Sequence, residues 1–533
     1  MNRNCQATWL LAILTTWISL ADFAEAGTNW ARLYGAALNS DLRAVHQTTD
    51  GGYVVSGAAI SFGAGGKDAW CLKLDASGDI VWQKTFGGVK DEYANAVEMT
   101  ADGGCLLVAT TYSFGAGSAD AWCLRLDSSG NIIWQKTYGG TGLDYLCAVV
   151  ATAGGGYVLA GGTDSFGGGN GDAWYLKLDA AGNVVWQNAY GGSGAEYAGA
   201  VCGAAEGGFI LAGGVDVLNT DIYDALYLKV DAAGNVVSHR AYGGSDDDSA
   251  HSAGATADGG CILAGGTASW GAGMSDAWCL RLDAAGNIVW QNTFGGTSYD
   301  WFDGPSVTSG GSCFLAGFSN SLGAGSSDVY CVKLDSGGNV TWQRTYGGTS
   351  ADYALGAIPA ADGGYVLAGR TFGFGVSNTG SWALKISSTG TIDPSCPDLG
   401  RDAPGVVKPS SAVATAWVST TTPTFVVGAP TAVLGVDSTA ATTLLCSGAS
   451  GPTITSIASK TGKPGTKATI KGTGFSTDKK KVRVYIGNRR VKKLSRLKTT
   501  SITFTIPKMK KGTYDVYVVV NGQKSNTIQF EIK

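Results

Sequence analysis

The chain has 533 residues, of which 44% are apolar and 15% charged, and it contains 82 glycines and 16 tryptophans. This composition excludes a chain that is disordered throughout, disfavours coiled coils and helical bundles, and favours many short strands joined by tight turns. The net charge of −4 is unevenly distributed, because residues 451–533 hold 19 of the 38 basic residues and only three acids. That segment therefore carries +16 and the remainder −20, and the change of sign indicates a domain boundary.

Residues 1–26 have the three parts of a secretory signal peptide. Arg3 precedes an apolar run over residues 10–20, and Ala24, Glu25 and Ala26 form the small-x-small pattern of a cleavage site. We therefore expect a secreted protein that is extracellular, associated with the cell surface or periplasmic. No other apolar run approaches the ~20 residues that cross a bilayer, so the sequence predicts no membrane span.

A repeat of 52 residues occupies most of the chain after the signal peptide. The phrase W-Q-x-[TA]-[FY]-G-G recurs at this spacing, with Ser238 in one slot and Trp30 one step before the series. The tryptophans of the phrase are Trp82, Trp134, Trp186, Trp290 and Trp342. Each copy holds four short strand-like runs, and four antiparallel strands per repeat of this length are typical of a propeller blade. The sequence predicts an all-β fold with a seven-bladed β-propeller over residues 27–395, in which the strand at Trp30 completes the last blade.

The phrases D-G-G-Y-V-x-A-G and W-Q-K-T-x-G-G resemble those of secreted bacterial β-propellers. The resemblance covers residues 28–393 and implies the scaffold without a catalytic motif, although some related propellers carry endoglucanase labels or act on polysaccharides. The turn between the third and fourth strands, such as residues 179–183 ahead of Trp186, is similar in placement to the Asp-box of sialidase-type propellers. That likeness implies a structural turn away from the ligand face.

Two further segments follow the repeats. Residues 396–450 are rich in Thr, Val and Ala and lack both repeat phrases, so we predict a linker or stalk segment there. Residues 451–533 resemble an IPT/TIG domain, which implies an immunoglobulin-like β-sandwich that acts as a spacer or a binding module. The resemblance rests on residues 452–457 and 465–475 and on two closing strands at 512–520 and 525–532.

Several cysteines are candidates for disulfides, because the predicted compartment is oxidising. Three pairs share one spacing on the second and third strands of single blades, and a fourth pair brackets the linker segment. The candidates are Cys105 with Cys123, Cys261 with Cys279, Cys313 with Cys331, and Cys396 with Cys446. The alternative for the first three pairs is reduced thiols in the core. No C-x-x-C motif is present, and we expect neither a metal nor another cofactor.

Two repeated features fall on the face of the propeller that usually binds ligands. An acid opens the innermost strand in six blades, and an aromatic residue recurs in the loop between the second and third strands. The acids are Glu92, Asp144, Glu196, Asp248, Asp300 and Asp352, and the aromatic residues are Phe62, Phe114, Phe166, Trp270 and Phe374. The acids are candidates for binding a cation or a basic partner, and the aromatic residues for stacking on sugars. The regular repetition favours the alternative, in which the acids hold their own loops and the aromatic residues pack between blades.

The two most divergent stretches on this face, residues 245–251 and 299–303, lie in adjacent repeats. They add Trp301 to the candidates for ligand binding and supply several carboxylates. A glycoside hydrolase needs two carboxylates about 5–10 Å apart. The acids from which such a catalytic pair would come are Asp246, Asp247, Asp248, Asp300 and Asp303. The alternative is a solvated acidic rim.

The absence of catalytic motifs favours a secreted, non-catalytic binding or scaffold protein. We expect the propeller face to bind a glycan or a cell-surface partner and the basic C-terminal domain to contact anionic envelope polymers, unless its charge only keeps it soluble. The basic candidates are Lys479, Lys480, Lys481, Arg489, Arg490, Lys492, Lys493 and Arg496. Nucleic acid is a weaker candidate, because no aromatic residues are interleaved with the basic ones. The alternative function is a polysaccharide-active enzyme, similar to an endoglucanase, that uses the propeller-face carboxylates.

Overall fold

The computed structural model describes residues 29–392, except 35–38, 61–64, 217–218, 308–310 and 374–378, and residues 453–533, except 488 and 521–522. Between these parts it gives the backbone of seven short strands from residue 400 to residue 447. The signal peptide predicted at residues 1–26 lies outside the described residues. Every regular element in the described parts is a β-strand, which confirms the predicted all-β fold.

Seven antiparallel sheets contain the repeats, and the four repeat strands of each sheet are named A to D from the inside outward. Strands A are Ser40–Gln47, Glu92–Met99, Asp144–Ala151, Glu196–Gly203, Asp248–Ala255, Asp300–Val307 and Asp352–Pro359. Strands B are Tyr53–Ala59, Cys105–Thr111, Tyr157–Thr163, Phe209–Val215, Cys261–Thr267, Cys313–Ser319 and Tyr365–Thr371. Strands C are Asp68–Leu74, Asp120–Leu126, Asp172–Leu178, Asp224–Val230, Asp276–Leu282, Asp328–Leu334 and Gly380–Ile386. Strands D are Ile80–Phe86, Ile132–Gly139, Val184–Tyr190, Val236–Gly243, Ile288–Gly295 and Val340–Tyr346 in blades 1 to 6, and Trp30–Tyr34 in blade 7.

The ring closes through the first strand of the chain. Trp30–Tyr34 pairs antiparallel with strand C of blade 7, with Trp30 opposite Lys385 and Leu33 opposite Trp382. The Oγ of Ser381 in blade 7 donates to the Oγ of Ser40 in blade 1 at 2.9 Å, so the last and first blades are in contact. The structure thus confirms the seven-bladed propeller with closure by the N-terminal strand.

The segment predicted as a linker or stalk runs along the outside of the ring. It adds a fifth, antiparallel strand to the outer edge of strand D in every blade, visiting blades 6, 5, 4, 3, 2, 1 and then 7. These strands, which we call the belt, are Gly400–Asp402, Val406–Pro409, Val413–Thr415, Thr420–Thr421, Val426–Gly428, Val436–Asp437 and Thr442–Ser447. Since an unpaired outer edge exposes a row of backbone donors and acceptors, the belt satisfies groups that a stalk would leave open.

The tryptophan of the repeat phrase joins six of the seven blades to the next, the exception being blade 4, which has Ser238 at this position. The Nε1 of Trp82 donates at 3.0 Å to the carbonyl oxygen of Ser128, which lies in the C–D turn of the following blade. Asp127 holds this turn by accepting two backbone N–H bonds, and Gly130 within it has a φ of 76°. A Cβ on Gly130 would lie 3.0 Å from the Trp82 ring, so glycine is needed for both conformation and space. The same bond links Trp30 to Ala76, Trp134 to Ala180, Trp186 to Ala232, Trp290 to Ser336 and Trp342 to Ser388.

The C-terminal domain is a sandwich of two sheets. One sheet contains Thr453–Ile457, Lys467–Thr473, Ser501–Thr505 and Leu494–Lys498. The other contains Thr461–Gly462, Ile528–Ile532, Gly512–Val520, Val482–Ile486, Arg489–Arg490 and Gln523–Lys524. Alternate residues of the strands point inward, as in Lys467–Thr473, and a core of Ile, Val and Phe side chains fills the space between the sheets.

The register contradicts the disulfides predicted within single blades. In blade 2, Cys105 lies opposite Leu126 and Cys123 lies opposite Val108, so the two cysteines do not face each other. The same offset separates Cys261 from Cys279 and Cys313 from Cys331. All six are free thiols in the structure. Cys396 and the side chain of Cys446 lie outside the described residues.

Candidate binding site at the channel mouth

The six acids at the first position of strands A are buried within the blades. Each is at most 3% exposed. The Oδ2 of Asp144 accepts bonds from the backbone N–H of Gly140 at 2.7 Å and from Ser165 Oγ at 2.6 Å, while Thr163 Oγ1 donates to its Oδ1. This arrangement holds the D–A loop against the end of strand B. Glu92, Asp144, Glu196, Asp248, Asp300 and Asp352 therefore do not line the channel, because their positions direct them into the sheet packing.

The loop aromatic residues also pack within the propeller. Phe114, Phe166 and Trp270 lie against the tryptophan of strand C in their own blades, with ring centroids 5.5, 6.1 and 5.6 Å apart. All three are partly buried and belong to the core between blades. Phe62 and Phe374 lie outside the described residues. The placement of the three described residues favours packing over sugar stacking.

The burial of Glu196 and Asp352 makes the stability of the propeller depend on pH. Burial raises the pKa of Glu196 to about 7 and the pKa of Asp352 to about 6. A raised pKa in the folded state means that the protonated form is favoured there. The stability that Glu196 contributes is therefore fully present below its pKa in the unfolded chain, about 4.3, and is lost as pH rises through 7.

We expect Glu196→Gln to stabilise the protein by about 2 kcal/mol at pH 8 and to have little effect near pH 4.5, because the amide removes a charge that the site desolvates. Urea unfolding at both pH values measures the difference. Asp246→Asn, at an exposed loop position, is the matched control and should shift neither curve by much. A Glu196→Gln variant that is less stable than the parent at pH 8 would contradict the assignment.

A β-bulge in every strand A turns one residue toward the channel. Pairing with strand B skips the fourth residue in all seven blades, as at Cys147, which lies between the paired residues Leu146 and Ala148. The seven skipped residues are Arg43, Asn95, Cys147, Gly199, His251, Asp303 and Leu355. We call them the bulge ring. Bulges commonly redirect side chains next to functional sites.

Members of the bulge ring reach across to the following blade. Arg43 Nη1 donates to Asn95 Oδ1 at 2.9 Å, and Asn95 Nδ2 donates to the carbonyl oxygen of Leu146 at 3.0 Å. The thiol of Cys147 donates to the carbonyl oxygen of Ala198 at 3.6 Å. The inner wall of blades 1 to 4 is therefore linked by polar contacts between side chains and backbone of different blades.

A second ring, two residues nearer the start of each strand A, is mostly aromatic. Its members are Asp41, Tyr93, Tyr145, Tyr197, Ser249, Trp301 and Tyr353. We call this the aromatic rim. The guanidinium of Arg43 lies 4.8 Å from the centroid of the Tyr93 ring, and that of Arg370 lies 4.7 Å from the Tyr353 centroid. The rim thus combines flat apolar faces with cationic edges.

The two rings are also in contact in blades 4 to 6. The imidazole of His251 lies edge-on to the indole of Trp301 with centroids 5.0 Å apart, and its Nε2 is 3.3 Å from the hydroxyls of Tyr197 and Ser249. Its Nδ1 is 3.8 Å from Asp303 Oδ1. Ser249 replaces the aromatic residue of blade 5, and the Trp301 ring occupies the space above Gly266, where a Cβ would come within 2.2 Å of it. The two divergent stretches of the sequence therefore form one cluster.

Burial keeps this cluster close to neutral. It raises the pKa of Asp303 to about 7, against the opposite effect of Arg370, and it lowers the pKa of His251 to about 4. Between pH 4 and pH 7 both side chains are uncharged, so they donate and accept hydrogen bonds without a fixed ion pair.

An open cavity of about 460 Å³ lies on the other side of the mouth, in blades 1 to 3. It is lined by Arg43, Tyr93, Asn95, Tyr145 and Cys147 among others, so it takes its walls from both rings. Its size and mixed lining fit a small polar ligand or part of a longer one.

The acids considered for glycoside hydrolysis lie in three different environments. Asp246 and Asp247 lie on an exposed loop, and Asp247 Oδ1 accepts the backbone N–H of Tyr223 at 3.0 Å. Asp248 and Asp300 are fully buried. Of this set, Asp303 alone belongs to the bulge ring. Burial of Asp248 and Asp300 removes two of these acids from the face that a polysaccharide could reach.

Trp301 and Asp303 are among the site residues predicted from the sequence, whereas most other residues of the bulge ring and the aromatic rim are not. The tyrosines of the rim belong to the repeated D-Y-A phrase, whose tyrosine directly follows the sealed acid. The available signal was variation at the fourth position, where Arg, Asn, Cys, Gly, His, Asp and Leu replace one another in otherwise similar copies.

The basic residues of the C-terminal domain are all exposed. Lys479, Arg490, Lys492 and Lys493 line an open groove of about 670 Å³ whose floor includes Val491. Four cations around one groove give it a positive electrostatic potential. Lys480, Lys481, Arg489 and Arg496 add to the surrounding charge.

The described residues contain no group of three or more His, Cys, Asp or Glu side chains arranged to hold a metal ion. They also contain no helix with the length and apolarity that crossing a bilayer takes.

Comparison with solved structures gives distant likenesses. A structural genomics protein from Bacteroides thetaiotaomicron is 25% identical over 16% of this chain and 22% of its own, with a TM-score of 0.15, so the chain spans about a fifth of that protein. The WD40 domain of Neurospora crassa Pan2 is 10% identical over 67% of this chain and 96% of its own, with a TM-score of 0.42. A fungal alcohol oxidase in complex with copper is 12% identical over 95% and 100%, with a TM-score of 0.41.

These likenesses are too distant to transfer an activity. A search of curated proteins finds no match. One family model matches the chain, that of the IPT/TIG domain, and it covers the C-terminal sandwich at residues 452–532. The chain is therefore a seven-bladed propeller with an outer belt, followed by an IPT/TIG domain.

Proposed function

We propose that this is a secreted, non-catalytic binding protein, in which the channel mouth of the propeller takes a glycan and the basic groove of the IPT/TIG domain contacts an anionic polymer at a cell surface. The observation that carries the proposal is the aromatic rim above the polar bulge ring. Export is inferred from the signal-like residues 1–26.

The chemistry of the mouth suits a carbohydrate. Sugar rings have apolar C–H faces and polar edges, so they pack on aromatic side chains while hydroxyls bond to groups beside them. Trp301 offers a broad face at the mouth, and Tyr93 and Tyr145 line the cavity on the other side. His251 and Asn95, in the bulge ring, lie where the hydroxyls of a bound sugar would need partners.

We expect Trp301→Ala to weaken glycan binding by about tenfold or more, because aromatic anchors dominate such sites. A glycan array with the full chain identifies the ligand, and calorimetry with that glycan measures the affinity. Trp301→Phe keeps a flat face and should retain most of the binding. Val289→Ala, an exposed apolar residue of strand D in blade 5, is the control for a change elsewhere. Equal affinity of the Trp301→Ala variant and the parent would refute the proposed site.

One observation favours the alternative, a polysaccharide-active enzyme. The pKa of about 7 at Asp303, beside a neutral His251, is suited to a general acid. Release of reducing sugar from a polysaccharide, abolished by Asp303→Asn while binding is kept, would establish the enzyme and replace the binding-only proposal. Binding without turnover supports the proposal.

The basic groove makes a separate prediction. The double substitution Lys492→Glu and Lys493→Glu in the full chain should reduce retention on polygalacturonate or dextran sulfate about tenfold, because it reverses two charges at the groove. Lys508→Glu with Lys510→Glu changes the same net charge at positions away from the groove and should have a smaller effect. Retention of the parent that does not weaken with added salt would remove the electrostatic contact.

A further inference from the structure

The cysteines of strands B and C meet between blades. The fourth residue of each strand C packs near the first residue of strand B in the following blade, at a constant separation of 34 positions along the chain in blades 1 to 6. The seven combinations are Cys71 with Cys105, Cys123 with Tyr157, Tyr175 with Phe209, Tyr227 with Cys261, Cys279 with Cys313, Cys331 with Tyr365, and, across the closure of the ring, Ala383 with Tyr53. Two of the seven interfaces therefore combine two cysteines.

The geometry of these two pairs is that of neighbouring thiols. Cys71 and Cys105 belong to the same core cluster between blades 1 and 2, and the Cys105 thiol is close enough to raise the pKa of Cys71. Cys279 and Cys313 belong to the same cluster between blades 5 and 6, where burial and the Cys313 thiol raise the pKa of Cys279. All four side chains are at most 1% exposed.

We propose that Cys71–Cys105 and Cys279–Cys313 are sites of disulfides that join blade 1 to blade 2 and blade 5 to blade 6. Two cysteine side chains that pack in the same interface between blades need little backbone movement to bond. The other three cysteines of these positions, Cys123, Cys261 and Cys331, face a tyrosine across the interface and remain thiols. The inference is independent of the proposed function.

The reaction is an exchange with a small disulfide. For each pair, one thiolate attacks glutathione disulfide and releases one glutathione, and the second thiolate displaces the other glutathione as the protein S–S bond forms. Two protein thiols are oxidised and one glutathione disulfide is reduced to two glutathiones. Burial and the neighbouring thiol raise the pKa of Cys71 and Cys279 well above the ordinary thiol value, so exchange takes place while the chain refolds and the interface is still open.

The test is refolding of the reduced full chain in a mixture of glutathione and its disulfide, followed by alkylation under denaturing conditions and mass mapping of peptides. The expected products are a peptide pair joined through Cys71 and Cys105 and one joined through Cys279 and Cys313, with Cys123 alkylated. Reduction should then lower the thermal midpoint of the propeller by about 5 °C. Links between Cys105 and Cys123, or complete alkylation of all four cysteines, would overturn the proposal.

A matched pair of variants separates the link from a folding defect. Cys71→Ala should lose the first link and keep the second. Cys123→Ala alters the same position of the next blade and should keep both links. The two links are mapped on separate peptides, so the parent protein still decides the question should one variant fail to fold.

Discussion

Replacement of Trp30 by alanine is expected to destabilise the propeller by about 3–5 kcal/mol, the usual cost of deleting a fully buried aromatic ring. Trp30 is 1% exposed, packs edge-on to Tyr53 at 6.1 Å and donates its Nε1–H to the carbonyl oxygen of Ala76 at 3.1 Å. It thus joins the closing strand of blade 7 to blade 1. The C-terminal domain contains no tryptophan, so tryptophan fluorescence during denaturant unfolding reports on the remainder of the chain.

The control for this prediction keeps an aromatic ring and removes the N–H group. Trp30→Phe should cost about 1 kcal/mol or slightly more, because it loses one hydrogen bond and a modest part of the volume. An unchanged unfolding midpoint for Trp30→Ala would show that the first strand is not docked in blade 7.

Replacement of Asp144 by alanine is expected to cost about 3–5 kcal/mol, because it leaves three donors in a buried site without their acceptor. These donors are the backbone N–H of Gly140 and the hydroxyls of Thr163 and Ser165. Urea unfolding, again followed by tryptophan fluorescence, measures the loss. This result would establish the loop-holding role of Asp144.

Asp246→Ala provides the comparison, since Asp246 is an acid on an exposed D–A loop of the same face. Its effect should stay within about 0.5 kcal/mol. If the Asp144→Ala variant were as stable as the parent but bound ligand differently, Asp144 would have to be assigned to the binding site.

The number and order of the blades follow from the sequence because each repeat carries its own turn and pairing signals. The belt could not be found in this way. Its strands are short, as at Thr420–Thr421, and lack any repeat phrase. Each pairs with a strand D far away in the chain, so no local pattern marks it. A Thr- and Val-rich segment without its own period therefore looked like a stalk.

The prediction of which side chains of strand A line the channel mouth was wrong at the candidate site. Side chains alternate along a strand, so a shift of one residue exchanges the buried face for the exposed one. The acid at the start of strand A was placed at the mouth, whereas its neighbour, such as Tyr145, occupies that position. The bulge at Cys147 then adds a residue that simple alternation does not anticipate. The common spacing of the three cysteine pairs predicted contacts within single blades, but these cysteines contact residues of neighbouring blades instead.

The belt also sets an order of events for a newly made chain. Trp30–Tyr34 is the first of the described strands to be synthesised, yet its neighbours in the sheet are Gly380–Ile386 and Thr442–Ser447. It must remain without a native partner until the last blade has been made, and its outer edge is covered only when the final belt strand arrives. A strand that stays unpaired for this long favours slow folding and makes shielding of its exposed edge by chaperones useful. The IPT/TIG domain is synthesised only after all the strands that close the ring have been made.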